Sequence, residues 1–249
     1  MKQKVVAIIP SRLESSRLPR KALADICGLP MIVHVYKRCI LADSLNDVYV
    51  ATDSQEIKAQ IEKCGGKVIM TDSKHQTGTD RIAEAAQNIE ADIIVNIQGD
   101  EALVNPEHVN DGVRGLIDSE AEVSILLTKF SKKKSYGDIK AVVNLQDEVM
   151  YFSRNDIPSD SRAEVIDMLK AYHVVSFRKE FLMQYTALEQ TPLERTEYNE
   201  YLRILENGYK IKGVHVESDA ISVDTQSDLD YVIEKMKTDT LFCQYKDLI

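Results

Sequence analysis

Lys4-Val5-Val6-Ala7-Ile8-Ile9, followed at once by Pro10-Ser11-Arg12-Leu13-Glu14-Ser15-Ser16-Arg17-Leu18-Pro19-Arg20-Lys21, decides how this chain is read. The apolar run reads as a strand, and the basic, serine-rich run as the loop that leaves it. Ligands of open α/β sheets bind at strand ends. Spaced cations, serine hydroxyls and backbone N–H groups at such an end suit a polyphosphate. The alternative is a solvated basic turn.

The residues that follow hold the cations between two rigid elements. Ala22 to Ile32 extends the loop and hands the chain to a helix whose apolar positions Ile32, Val35, Cys39 and Ile40 keep helical spacing. The whole stretch, Ile-Ile-Pro-x-Arg-x-x-Ser-x-Arg-Leu-Pro-x-Lys-x-Leu through Gly-x-Pro-Met-Ile, resembles the nucleotide-binding signature of the sugar nucleotidyltransferases. Among these it is most similar to the CMP-Kdo synthetases, which activate the acid sugar 3-deoxy-manno-octulosonate (Kdo) for bacterial surface glycans such as lipopolysaccharide.

Composition agrees with such an enzyme. The chain has 249 residues, enough for one large α/β domain. Its net charge of -9 argues against nucleic-acid or membrane partners, so the clustered arginines and lysines are a local feature. Cys27, Cys39, Cys64 and Cys243 lack zinc-ligand spacing, and there is no leader or long apolar run. These features fit a cytoplasmic protein with free thiols.

Farther along, strand patterns over 47–52, 67–70 and 92–97 alternate with helical patterns over 55–64 and 79–88. The rhythm predicts βαβ units and a mainly parallel sheet with right-handed crossovers. Neither G-x-G-x-x-G nor G-x-x-x-x-G-K-[ST] occurs, which weakens dehydrogenase and P-loop readings. Strand patterns then dominate over 123–129, 140–144, 149–152 and 172–177. A helix over 196–206, a strand over 210–216 and a last helix from 227 to about 236 follow. The expected fold is Rossmann-like α/β in a single domain over 1–249, with a β-rich arm over about 123–177. By the resemblance that arm is the dimerising region, which implies a homodimer.

Three further motifs carry chemistry. In His75-Gln76-Thr77-Gly78-Thr79-Asp80-Arg81, Thr79 or Gly78 can cap the helix that follows. Ile94-Val95-Asn96-Ile97-Gln98-Gly99-Asp100-Glu101 ends an apolar strand with an amide, a close-approach glycine and a carboxylate, which suits base recognition and Mg2+. Ser222-Val223-Asp224-Thr225-Gln226-Ser227-Asp228 precedes the last helix. The resemblance implies that Thr77, Gly78 and Arg81 lie beside the nucleotide and that Asp224 joins Asp100 as a metal ligand. It also implies that Arg12, Ser16, Arg17 and Lys21 hold the phosphates of CTP, while Gln98 recognises the base or orients the substrate. Two Mg2+ ions would then serve an in-line attack of a sugar hydroxyl on the α-phosphorus, with pyrophosphate leaving.

On the acid-sugar side the resemblance is uneven. Tyr151-Phe152-Ser153-Arg154 matches and makes Arg154 a carboxylate clamp, and Glu200 keeps the family's glutamate. Tyr201, however, replaces a glutamine, Ala171 stands at the family's histidine, and Arg20 and Ala102 replace a glycine and a proline. His173, two residues along a strand from Ala171, is either a stand-in or an ordinary strand histidine. The resemblance implies Kdo or a Kdo-like 3-deoxy-ulosonic acid as acceptor, and these departures suggest a shifted one: a modified Kdo, another 3-deoxy-ulosonic acid or a different small acid. The alternatives are a nonulosonate, a noncarbohydrate acid, or a silent binding regulator.

Overall fold

Six buried residues in succession, Val5–Pro10, form β1 in the computed structural model. The structure describes residues 3–15, 17–75, 77–159, 161–162, 167–218 and 221–246. After β1 come β2 (Asp25–Ile26), β3 (Leu29–Pro30), α1 (Met31–Cys39), β4 (Asp47–Thr52), α2 (Gln55–Lys63), β5 (Val68–Met70), α3 (Gly78–Ala86) and β6 (Ile93–Ile97). They are followed by α4 (Pro106–Ile117), β7 (Val123–Phe130), β8 (Lys140–Val143), β9 (Val149–Ser153), β10 (Met168–Arg178) and α5 (Lys179–Thr186). The chain ends with α6 (Pro192–Glu197), α7 (Leu202–Glu206), β11 (Ile211–His215) and α8 (Gln226–Lys237).

The elements form two compact units, Met1–Asn110 with Asp219–Ile249, and Asp111–Ser218. In the first unit β1 pairs in parallel with both β4 and β6, and β4 with β5. The resulting order is β5-β4-β1-β6, and its pairings are all parallel, as the alternating strand and helix patterns predict. Strands buried on both faces need apolar residues throughout, which β1 supplies and β6 supplies at every position but Asn96. In the second unit β10 pairs antiparallel with β7 and β8, β8 pairs antiparallel with β9, and β11 runs parallel to β7.

Two local expectations change. The helix expected over 196–206 is broken into α6 and α7, because Tyr198 takes a left-handed conformation at φ 53°. The Asn199 N–H then closes on the Glu194 carbonyl at 3.2 Å, and the Asn199 side-chain oxygen accepts from the Tyr201 N–H at 3.1 Å. A two-pronged Arg203–Glu194 pair, at 2.8 and 2.5 Å, ties the two short helices together. Secondly, α3 is capped by Thr77 and not by Gly78 or Thr79. The Thr77 hydroxyl accepts from the Asp80 N–H, and the Asp80 carboxylate accepts in return from the Thr77 N–H.

Candidate active site

The strand order itself locates the site. From β1 the chain moves outward through β4 to β5 and then returns to the other side of β1 as β6, so the order reverses between β1 and β6. A crevice opens at the carboxyl ends of strands that part in this way. Pro10 and Ser11 from β1 and Gln98, Gly99 and Asp100 from β6 line a cleft of about 280 Å³ there. Gly99 is required by the approach of the two ends, since a Cβ would stand 2.9 Å from the Pro10 carbonyl oxygen.

Arg12, Arg17 and Lys21 reach the cleft from the loop after β1. The Lys21 ammonium donates to Asp100 Oδ2 at 2.7 Å and to Asp224 Oδ1 at 3.2 Å, and Arg17 Nη2 donates to the same Asp224 oxygen at 2.8 Å. Burial opposes the charge on Lys21, but the Asp100 and then the Asp224 carboxylates outweigh it and raise the lysine above its ordinary value. Ser16 lies outside the described residues.

Asp224 is brought to Asp100 by backbone. The Val223 N–H donates to the Asp100 carbonyl at 3.1 Å, and Thr225 caps α8. Asp228 is engaged in that cap, accepting from the Thr225 and Asp224 N–H groups at 2.8 and 3.1 Å, so it is held away from the role of Asp224. Beneath these loops, Ile26, Met31, Ala102, Val223, Leu229 and Val232 form a buried cluster, with Leu18 packed on it. One apolar nucleus thus fixes the loops that carry Lys21, Asp100 and Asp224.

A buried histidine braces that nucleus. His34 Nε2 faces the Ile26 carbonyl at 2.8 Å and therefore carries the proton, leaving Nδ1 to accept from the Tyr245 hydroxyl at 2.9 Å. Burial, assisted by the Arg38 charge, lowers the imidazole to about 4. Arg38 in turn donates to Asp239 at 2.6 Å and to the Val104 carbonyl at 3.3 Å.

The opposite wall is the start of α3. Thr77 and Gly78 line the cleft, and a Cβ on Gly78 would lie 3.3 Å from Pro10 and 3.6 Å from the Gln98 amide. Gln98 is oriented by donating to Asn96 Oδ1 at 2.9 Å. Arg81 is buried behind the wall, with Nη1 donating to Thr71 at 2.5 Å and 3.5 Å from Asp53. His75 pairs with Glu84 on α3 and also lines the cleft.

Charge separates this cleft from a larger hollow of about 430 Å³ elsewhere in the first unit. The larger one is lined by Asp47, Glu84 and Glu90 against Lys4, the wrong balance for a triphosphate. The smaller one sets three cations, Arg12, Arg17 and Lys21, with buried Arg81 in its wall, against Glu14, Asp100 and Asp224.

Residues 6–211 match the family model described as cytidylyltransferase. A 3-deoxy-manno-octulosonate cytidylyltransferase from Geobacter metallireducens is 41% identical, covering 94% of this chain and 98% of that protein. The chain belongs to the CMP-Kdo synthetase family. A relative of the same name from Escherichia coli is 38% identical, with 92% of this chain and 94% of that one covered. A solved CMP-Kdo synthetase complexed with CTP superposes with a TM-score of 0.91 at 37% identity, covering 94% of this chain and 98% of that one. A 4-diphosphocytidyl-2C-methyl-D-erythritol synthase from Anaerococcus prevotii shares the fold at 14% identity and a TM-score of 0.65, with 95% and 100% covered.

The CMP-Kdo synthetase positions of the second unit are differently placed. Arg154 is half-buried and its guanidinium donates to the carbonyls of Glu197, Tyr136, Gly137 and Tyr198 at 2.8, 3.0, 3.4 and 3.0 Å. Tyr201 is buried with its ring 6.2 Å from that of Phe152. Burial first, and then Glu200, push its phenol well above the usual range. Ala171 is buried opposite Leu127, and the register of β10 shifts between Tyr172 and Val175. His173 falls within that shift, so the simple two-residue alternation that relates it to Ala171 does not hold. Glu197 emerges as an organiser that sequence reading did not single out. Its carboxylate accepts from Ser153 at 2.8 Å, Tyr151 at 3.3 Å and the Arg154 N–H at 2.9 Å. The Tyr-Phe-Ser-Arg segment supplies those donors, and their need for a common acceptor was the available signal.

Proposed function

We propose that this chain is a cytidylyltransferase that transfers CMP from CTP to the anomeric hydroxyl of Kdo and releases pyrophosphate. The observation that carries the reading is the convergence of Arg17 and Lys21 on Asp100 and Asp224 in one cationic cleft at the β1/β6 reversal. The sugar hydroxyl gives up its proton to solvent, and its oxygen forms a bond to the α-phosphorus as the bond to the bridging oxygen of the β-phosphate breaks. The electron pair leaves with pyrophosphate. Arg12, Arg17 and Lys21 bind the phosphate oxygens and stabilise the charge on that leaving group, the arginines as planar forks and the lysine as a point charge. Thr77, Gly78 and Gln98 place the nucleoside, and Arg81 stiffens the wall behind them.

The donor set fits Mg2+. Asp100 and Asp224 share one ammonium, Lys21, which marks a place where positive charge is held. Among the described residues no third acidic, histidine or cysteine ligand joins them, as suits an ion that takes one or two carboxylates plus substrate phosphates. When bound, Mg2+ supplies Lewis-acid polarisation of the phosphoryl oxygens and neutralises developing charge. Lys21, no longer needed to balance the two carboxylates, would then be free to pair with the triphosphate.

Kdo is favoured over a different acid by the setting of the departures. Ala171 and Tyr201 are both buried among apolar neighbours, so they read as repacking of the second unit. We assign Arg154 and Tyr201 to holding that unit's shape, with Glu200 beside them on the acid side. A homodimer through the β-rich arm is supported by exposed apolar side chains there, Leu145, Met150 and Tyr136 at 98%, 63% and 60%. No helix among the described residues is long and apolar enough to cross a membrane, and all four cysteines are free, which supports a cytoplasmic setting.

Pyrophosphate release with CTP and Mg2+ should be followed with Kdo, 8-amino-8-deoxy-Kdo and N-acetylneuraminic acid as separate acceptors. Release with Kdo is expected. Release with another acid and not Kdo would overturn the acceptor assignment, and release with none would favour a binding regulator.

A further inference from the structure

Arg20 adopts φ 57° and ψ 30°, the left-handed region that glycine enters freely and that strains a side-chain-bearing residue. It immediately precedes the short helical turn Lys21–Leu23, and its carbonyl accepts from the Leu23 N–H at 2.9 Å, so its conformation sets the direction in which Lys21 points. Something must hold it there. Arg20 Nη1 and Nη2 meet the two oxygens of Glu56 at 3.2 and 2.5 Å, a fork-to-carboxylate pair. Glu56 stands in the first turn of α2, which is fixed by the Ser54 cap and by buried Ile57 and Ile61. The hydrogen bond from Arg20 lowers the Glu56 carboxyl below its ordinary value.

The other charged tethers of this loop face the cleft. Arg17 and Lys21 are bound to Asp224 and Asp100, and both cations must leave those carboxylates to take up phosphates. Neither Arg20 nor Glu56 lines the cleft. We propose that the Arg20–Glu56 pair is a positioning device for the triphosphate loop, holding the left-handed turn that presents Lys21 and staying closed while Arg17 and Lys21 exchange carboxylates for phosphates. This rests on the CTP reading given above and assigns the positioning of its loop to a pair outside the cleft.

Hydrogen–deuterium exchange over residues 11–23 of the ligand-free protein tests the tether, and calorimetric titration with CTP and Mg2+ tests its consequence. Glu56→Gln and Arg20→Ala should each speed loop exchange and weaken CTP binding about two- to fivefold, the range of an exposed pair. The double variant should be no weaker than the weaker single one, and Arg20→Lys should fall between. Salt at about 0.5 M should bring the wild type toward Glu56→Gln, because exposed charges are screened there. Loop exchange in Glu56→Gln equal to wild type, or additive effects in the double variant, would overturn the proposal. A wild-type protein that bound no CTP would sink the functional reading instead, while the exchange comparison still decided on the tether.

Discussion

Motif matches on the two units have different physical outcomes. In the first unit the matched side chains converge on one cleft and bind one another through charges that a triphosphate and a cation can replace, as Lys21 does between Asp100 and Asp224. In the second unit Arg154 spends its guanidinium on four backbone carbonyls, and Tyr201 is sealed against Phe152. The matched cations of the first unit are thus poised for exchange, whereas in the second unit the matched Arg154 and the departing Tyr201 are both held by the fold. The difference is one of partners: carboxylates can trade one cation for another, whereas neutral backbone carbonyls hold a guanidinium in place and offer no charge to exchange.

The largest effect expected from breaking this contrast is at Asp100. Asp100→Asn should lower turnover at least about a thousandfold, some 4 kcal/mol of transition-state stabilisation, while the melting temperature shifts by no more than about 3 °C. Pyrophosphate release and a thermal melt check both halves. The reverse pattern is expected at Arg154. Arg154→Ala removes the guanidinium that ties the carbonyls of Tyr136 and Gly137 to those of Glu197 and Tyr198 and should cost about 1 kcal/mol in urea unfolding, with the KM for CTP unchanged. A loss of Kdo affinity at unaltered stability would instead make Arg154 a substrate clamp.

A third test concerns the brace beneath the first unit's loops. His34 is held near 4 in the folded protein against 6.5 as its ordinary value, so the unfolded chain binds the proton more readily. Stability is therefore complete above about 6.5 and falls as pH drops toward about 4, by up to about 3 kcal/mol from this group. His34→Gln, whose amide can still donate to Ile26, should flatten urea-derived stability across that window relative to wild type. An unchanged slope would assign the acid sensitivity to other groups.

Much of this contrast was legible in the sequence. The apolar runs of β1, β4 and β6 and the four motifs fixed the parallel sheet and the loops at its edge, because burial on both faces demands such runs. Helix α4 was not legible, since it contains Gly112 and Gly115, poor helix formers. Packing explains them: a Cβ on Gly115 would stand 2.3 Å from Val214, and one on Gly112 3.3 Å from Leu126. The break at Tyr198 was hidden for a related reason, as a left-handed tyrosine carries no local signature. The employment of Arg154 depended on Tyr136 and Tyr198, remote in sequence, so no spacing rule could reveal it. The Thr77 cap had a local signal, the capping-box spacing of Thr77 and Asp80, but the sequence reading placed the cap at Gly78 or Thr79 instead.

We propose that the loop after β1 holds the triphosphate of CTP, with Lys21 as its principal cation. Calorimetric titration of CTP and Mg2+ into wild type and Lys21→Ala tests it most directly. The account predicts affinity at least about thirtyfold weaker in the variant, roughly 2 kcal/mol, as for a lost charged hydrogen bond. Equal affinity in the two proteins would contradict it and move the phosphates elsewhere.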